Sequence, residues 1–201
     1  MKQALGPVVK FDYPIADSAT FVVKQVRDAV PSPDGKRLAF VALDRLYVMD
    51  WPNGTPRRVG NVAGSEFEPA WSPDGAWLAY ASWTNADGGH LHRVRVDNRG
   101  GPPQRLTTKR ALYRTPAWSP DGRRVVAVRG PARVVDETIE GNPGGAEDLV
   151  WVPATGGEAT FIAPAAGVGA PHFTRDTGRV YAYGPGRGLV SMRWDGTDVQ
   201  T

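Results

Sequence analysis

Three histidines, several paired carboxylates and a repeated Ser-Pro-Asp-Gly string are the residues here whose types and spacing admit chemistry. His90-Leu91-His92 sets two imidazoles two residues apart. On a strand both rings point to one face, sound geometry for a metal ion. A metal centre needs further ligands, and the one remaining histidine, His172, falls in a different repeat. His90 and His92 are therefore read as structural, and no metal or other cofactor is assigned. The absence of cysteine excludes disulfides, thiolate catalysis and cysteine-based zinc sites. Ser, His and Asp all occur, but no Gly-x-Ser-x-Gly elbow accompanies them. Gly184-Pro185-Gly186-Arg187-Gly188 lacks the terminal Lys-Ser/Thr of a phosphate-binding loop and reads as a hairpin loop. Glu66 and Glu68, Asp136 and Glu137, and Glu147 and Asp148 are the carboxylate pairs. Two carboxylates in one dry cleft divide acid and base roles. Nothing in the sequence places any of these pairs in a shared cleft. No catalytic residue is assigned.

The elements that would position these residues follow from an internal repeat. Pro31-Ser32-Pro33-Asp34-Gly35, Trp71-Ser72-Pro73-Asp74-Gly75 and Trp118-Ser119-Pro120-Asp121-Gly122 are each followed by an apolar run. A degenerate fourth copy spans Phe173 to Ala182. The aspartates at 34, 74, 121 and 176 are separated by 40, 47 and 55 residues, close to the period of a four-stranded propeller blade. Proline presets the second position of a tight turn, Asp tolerates the third, and Gly takes the left-handed position that returns the chain as a hairpin. The motif's aspartate is thus expected to bond its own backbone.

The run after each turn is apolar on both faces, as in Leu38-Ala39-Phe40-Val41-Ala42, which fits strands stacked between neighbours. A further strand is expected near Leu46–Met49, Leu91–Val96, Leu149–Val152 and Leu189–Trp194. Outer strands are expected near Arg57–Val59, Gln104–Thr107 and Ala159–Ile162, and the last repeat reaches Thr201 where its own should begin. No segment sustains a 3.6-residue apolar period with caps. The expected fold is all-β: a β-propeller of four-stranded antiparallel blades near 21–62, 63–108, 109–163 and 164–201, after a leading segment 1–20. Closed propellers have about 4–8 blades, so four repeats with an incomplete last one suggest part of a larger propeller, or a half that pairs with a second copy. Thr20–Lys24 is expected to be an outer strand, either closing the last blade or belonging to a preceding one.

Net charge is +3 and the basic residues are scattered rather than gathered on one face, which argues against a nucleic-acid binder. No apolar run approaches the ~18 residues that span a bilayer, and the first ten residues lack a signal-peptide pattern.

The string Pro-Ala-Trp-Ser-Pro-Asp-Gly, at 69–75 and again at 116–122, resembles the TolB-like propeller repeat, and the chain from about residue 21 onward fits it. That resemblance implies a module for docking proteins or an accessory domain before a peptidase or metal-dependent amidohydrolase. It also implies a bacterial periplasmic or secreted setting. The ending Ser191-Met192-Arg193-Trp194-Asp195-Gly196-Thr197 looks most like the propeller preceding an amidohydrolase domain. TolB itself is six-bladed, a departure that again points to a longer parent. Amidohydrolases use a His-x-His pair for metal, but at the start of a βα barrel, not on the third strand of a blade. The resulting expectation is a non-catalytic interaction or accessory module. Its partner is a protein or a neighbouring catalytic domain, with self-association as a route to a complete ring.

Blade geometry supplies the candidate binding residues. Asp28, Glu68, Thr115 and Ala170 occupy the same place in successive repeats, at the start of the innermost strand and the mouth of the central channel. The first-to-second and third-to-fourth strand turns emerge on one face. The more variable second-to-third turns and the inter-blade connections emerge on the other. The second-to-third connection is short in repeat one (Leu43-Asp44-Arg45), longer in repeat two (Trp83–His90) and longest in repeat three (about Arg129–Glu147). Long loops on a rigid scaffold carry binding residues. Arg129, Arg133, Asp136 and Glu137 in that loop, with His172, complete the candidate set.

Overall fold

The computed structural model describes residues 22–97, 101–132, 147–175 and 178–201. Among these residues fifteen strands fall into four antiparallel sheets of consecutive strands, one per repeat. Blade 1 is β1 (Arg27–Pro31), β2 (Arg37–Ala42), β3 (Arg45–Asp50) and β4 (Arg57–Arg58). Blade 2 is β5 (Ser65–Trp71), β6 (Trp77–Thr84), β7 (Gly88–Arg95) and β8 (Gln104–Arg105). Blade 3 is β9 (Leu112–Trp118), β10 (Arg124–Gly130), β11 (Asp148–Pro153) and β12 (Thr160–Pro164). Blade 4 holds β13 (Gly169–His172), β14 (Arg179–Gly184) and β15 (Gly188–Arg193). Its fourth strand is only begun, by the bridge between Ser191 and Gln200. The chain's own end therefore starts that strand. Val22–Lys24 instead lie beside blade 1, lining a cleft with Val41 and Leu43, and are not in a strand.

The repeated motif builds the same hairpin three times. Ser32, Ser72 and Ser119 each give a hydroxyl proton to the aspartate two residues on, at 2.6, 2.5 and 2.6 Å. Each carboxylate also accepts the backbone N–H two residues further, at Lys36, Ala76 and Arg123. Each serine oxygen accepts the N–H five residues on, at Arg37, Trp77 and Arg124. Gly35, Gly75 and Gly122 close the turns at φ near +70°, a region open to glycine without strain. The serine hydrogen bond, reinforced by the backbone, holds Asp34, Asp74 and Asp121 below the usual carboxylate range. These aspartates are turn residues, as their spacing suggested.

The cores lie between blades. Ala39, Val41, Leu46 and Val48 of blade 1 meet Trp71, Leu78, Tyr80 and Val94 of blade 2. Ala79, Ala81 and Leu91 face blade 3's Tyr113, Val125, Ala127 and Val150. Val126, Val128 and Leu149 meet Val180, Ala182, Val190 and Met192 of blade 4. No comparable packing joins blade 4 to blade 1 among the described residues, so the four blades form an open arc. Its two end faces expose apolar side chains: Val26 and Leu43 at blade 1, Tyr183 and Leu189 at blade 4.

Two loops differ from expectation. β6 and β7 run on to Thr84 and from Gly88, so most of the Trp83–His90 connection is strand and only 85–87 turns. In blade 1 the turn tightens to Leu43 and Asp44, both at positive φ (50° and 58°), as a primed two-residue hairpin turn requires.

Candidate functional site

Asp28, Glu68, Thr115 and Ala170 share one conformation. All four are left-handed, at φ 51°, 51°, 48° and 46°. Each sits at the register shift of an innermost strand against its neighbour. The inner strand of every blade thus carries a bulge that re-aims one side chain. The first carboxylate reaches the next blade, where Asp28 Oδ2 accepts the Glu68 N–H at 2.9 Å. In turn, a Glu68 carboxylate oxygen accepts the Thr115 N–H. The inner strands of blades 1 to 3 are therefore linked by a relay in which an acid from one blade holds the bulge of the next. Burial, opposed by the Thr115 hydrogen bond, raises the Glu68 pKa, and the Asp28 charge adds to the rise.

The relay stops at Thr115, whose hydroxyl is buried without a hydrogen-bond partner among the described residues. Its side chain is one bond shorter than that of Asp28, and Ala170 has no side chain with which to continue. Thr115 is also β-branched, which makes φ of 48° costly. Thr115→Asp is expected to relieve that strain and supply the acceptor for the Ala170 bulge. The variant should gain about 1–2 kcal/mol of stability, read as a higher urea midpoint with an unchanged slope. A loss would show that the relay is not what holds the bulges.

Glu66 and Glu68 serve opposite neighbours. Glu66 is fully buried and accepts the Leu46 and Val62 N–H groups of the blade 1 side, at 2.8 and 3.1 Å. Gly60 lies so close to this carboxylate that a Cβ there would stand 2.3 Å from it. The intervening bulge breaks the two-residue alternation that would have put both glutamates on one face. Glu147 pairs with Arg114, and Asp148 with Arg129 at 2.7 Å, so this second carboxylate pair also divides between partners.

His90 and His92 both lie on β7, buried, with ring centroids 6.4 Å apart. His92 stacks on Tyr80 at 5.5 Å. The His90 Nδ1 contacts the Thr107 hydroxyl at 3.0 Å, and its Nε2 stands 3.5 Å from Asp87. Burial depresses both histidines, His92 to about 4, with the Arg105 charge adding to the fall. No group of three or more metal-ligating side chains forms among the described residues. His172 is exposed, contacts the Ala170 carbonyl through Nδ1 at 3.0 Å, and lies beside Tyr181, away from the other two. Arg129 is at the loop end of β10. Arg133, Asp136 and Glu137 lie outside the described residues. The structure therefore brings Asp28, Glu68 and Thr115 together, and leaves Arg129 and His172 apart.

Residues that the sequence did not single out include the tryptophans of the motif as cross-blade donors. Trp71 Nε1 donates to the Val30 carbonyl and Trp118 Nε1 to the Ala70 carbonyl, both at 3.0 Å. The first motif's Pro31 and the last's Phe173 have no such N–H. The repeat itself was the available signal, since a tryptophan stands at the same motif position in the second and third copies.

Consecutive antiparallel sheets of three or four strands, stacked side by side and stitched at their inner strands, define this molecule as a β-propeller. A family model described as the TolB beta propeller domain matches residues 24–148. The chain belongs to that family. Among solved structures it is similar to a protein assigned as TolB from Agrobacterium tumefaciens, with a TM-score of 0.69 and 21% identity over 88% of this chain and 61% of that one. TolB from Acinetobacter baumannii gives a TM-score of 0.63 and 24% identity over 85% and 41%. An oligogalacturonate lyase in complex with manganese gives 0.65 and 19% over 88% and 52%. At these identities the likeness is one of fold, and the chain spans at most about three fifths of the length of these relatives.

Proposed function

We propose that these blades are a non-catalytic part of a larger propeller, serving as an accessory or docking module for a protein partner or an adjoining catalytic domain. The observation that carries this reading is how the charged groups are used. The described motif aspartates are spent on their own turns, and Asp28, Glu66 and Glu68 on the backbone of neighbouring blades. Burial disfavours the charged form of both buried histidines. The exposed faces of blades 1 and 4 fit a ring completed by further blades or by a second copy. The parent is a hydrolase of the amidohydrolase or peptidase type on this reading, exported to the periplasm or beyond. Among the fold neighbours, a prolyl endopeptidase carries a matching region over 27% of its length at a TM-score of 0.58.

The test is to read the coding sequence on both sides of these residues and to assay the chain alone against esters, amides and glycosides. Further Ser-Pro-Asp-Gly blades with a catalytic domain beyond them, and an inert isolated chain, are the expected results. Saturable hydrolysis by the isolated chain, lost in Glu68→Gln or His172→Ala, would overturn the proposal.

A further inference from the structure

We propose that the cleft between the Lys109–Ala111 connection and the loop end of β10 holds a carboxylate side chain from an acidic segment of a protein partner, with Arg110 as its anchor. This rests on the docking-module reading above and names the chemistry of the partner. The cleft, about 270 Å³, opens beside the blade 2–blade 3 seam and is lined by Lys109, Arg110, Ala111, Arg129, Gly130 and Asp148, among others. Three cationic residues face one carboxylate. Arg129 is matched by Asp148 at 2.7 Å, and Lys109 reaches out to Glu158. Arg110 is exposed and has no hydrogen-bond or ion-pair partner among the described residues.

Arg110 is nonetheless positioned. Its stem lies over the turn of the neighbouring blade at Gly88, where a Cβ would stand 3.3 Å from the Arg110 Cβ and 3.4 Å from its Cδ. Gly88 is at φ +67°, which favours glycine on conformational grounds as well. The next residue is pinned to the same turn, Ala111 N–H donating to the Gly89 carbonyl at 3.0 Å. An unpaired guanidinium whose stem is already packed loses little freedom on binding, and its planar fork matches a carboxylate.

Size and lining select the ligand. Sites for whole small molecules run to about 300–1,000 Å³, so this cleft suits one side chain. No aromatic ring lines it among the described residues, which argues against single-stranded nucleic acid. The cleft lies on the face of the second-to-third turns and inter-blade connections, where a rigid scaffold presents variable loops.

The test is fluorescence anisotropy with a fluorescein-labelled decapeptide of alternating Glu and Gly, against the same design in Lys and Gly. The chain is expected to bind the acidic peptide alone. Arg110→Ala should weaken that binding by about tenfold, and Arg110→Glu should weaken it further. Arg123→Ala, an exposed arginine on the opposite face, should change it by less than about twofold, with circular dichroism confirming that each variant is folded. Equal weakening by Arg110→Ala and Arg123→Ala would overturn the proposal by showing a general charge effect. Displacement of the peptide by equimolar inorganic phosphate would overturn it in favour of a simple anion site. If the peptide fails to bind while deletion of these blades from the longer polypeptide still alters its hydrolysis of large substrates, the cleft proposal falls and the accessory reading stands.

Discussion

Trp118→Ala is expected to lower the stability of the arc by about 3–5 kcal/mol, the range for deleting a large aromatic side chain from a core. The indole is 8% exposed and packs with Ala79, Ala81, Leu91 and Val125 at the blade 2–blade 3 seam. Its N–H also ties blade 3 to the inner strand of blade 2 at the Ala70 carbonyl. Trp118→Phe separates the two contributions. It keeps most of the ring and removes the donor, at an expected cost of about 1–2 kcal/mol. Urea denaturation of both variants measures this directly. A cost below about 1 kcal/mol for the alanine variant would mean that the seam repacks and the tryptophan is not its keystone. The blade 3–blade 4 seam shows why such repacking is not expected to be free. There Phe173 replaces the indole, and a different assembly takes over. Phe173 stacks on Trp194 at 5.3 Å, and the Arg124 guanidinium sits 4.8 Å from the Trp151 ring centroid and 4.7 Å from that of Trp194. One lost donor is offset by several new ring contacts.

The blades were legible because their signals are local. A Ser-Pro-Asp-Gly turn is fixed by hydrogen bonds within a few residues, and the apolar strand after it needs only a neighbour on each side. The equivalence of the four inner-strand positions was also reachable, since they stand at a constant offset from the turn. Their conformation was not. Nothing in the types Asp28, Glu68, Thr115 and Ala170 announces a left-handed residue, because the bulge arises from pairing with the second strand. The alternation rule then failed for Glu66 and Glu68 for that same reason. His90 and His92 were correctly set on one face of a strand, but the loop drawn around them was too long. Gly88 and Gly89 fell inside that expected connection and proved to be strand, held against Ala111 and Arg110 of the next inter-blade connection. Arg110 gave no signal in the sequence at all. Its position over a neighbouring blade's turn depends on contacts between residues 88 and 110 that only the assembled seam supplies.

Acidification from pH 7 toward 4 is expected to destabilise the blade 1–blade 2 seam through His92. An unfolded histidine titrates near 6.5, whereas the folded chain holds His92 near 4 because burial excludes its charged form. The unfolded state therefore binds more protons across this window. Stability contributed by the neutral ring is complete above about pH 6.5, declines as pH falls, and is gone once the folded state also protonates near 4. At ~1.4 kcal/mol per pH interval the loss is up to about 3 kcal/mol for His92, and His90 is depressed in the same sense. The groups around the pair do not cancel this. Arg105 adds to the repulsion of an imidazolium, while Asp87, held low by Arg105, attracts one from the exposed side. Glu68 acts with the opposite sign, since its carboxyl is raised on folding and acid relieves the burial of its charge. Urea unfolding of the native chain, His92→Phe and Glu68→Gln at intervals between pH 7.5 and 4.5 resolves the two. His92→Phe keeps a ring against Tyr80 and should flatten the pH dependence, whereas Glu68→Gln should steepen it. An unchanged slope in His92→Phe would mean that the seam admits the proton without opening, and that water already reaches a ring the packing places in the core.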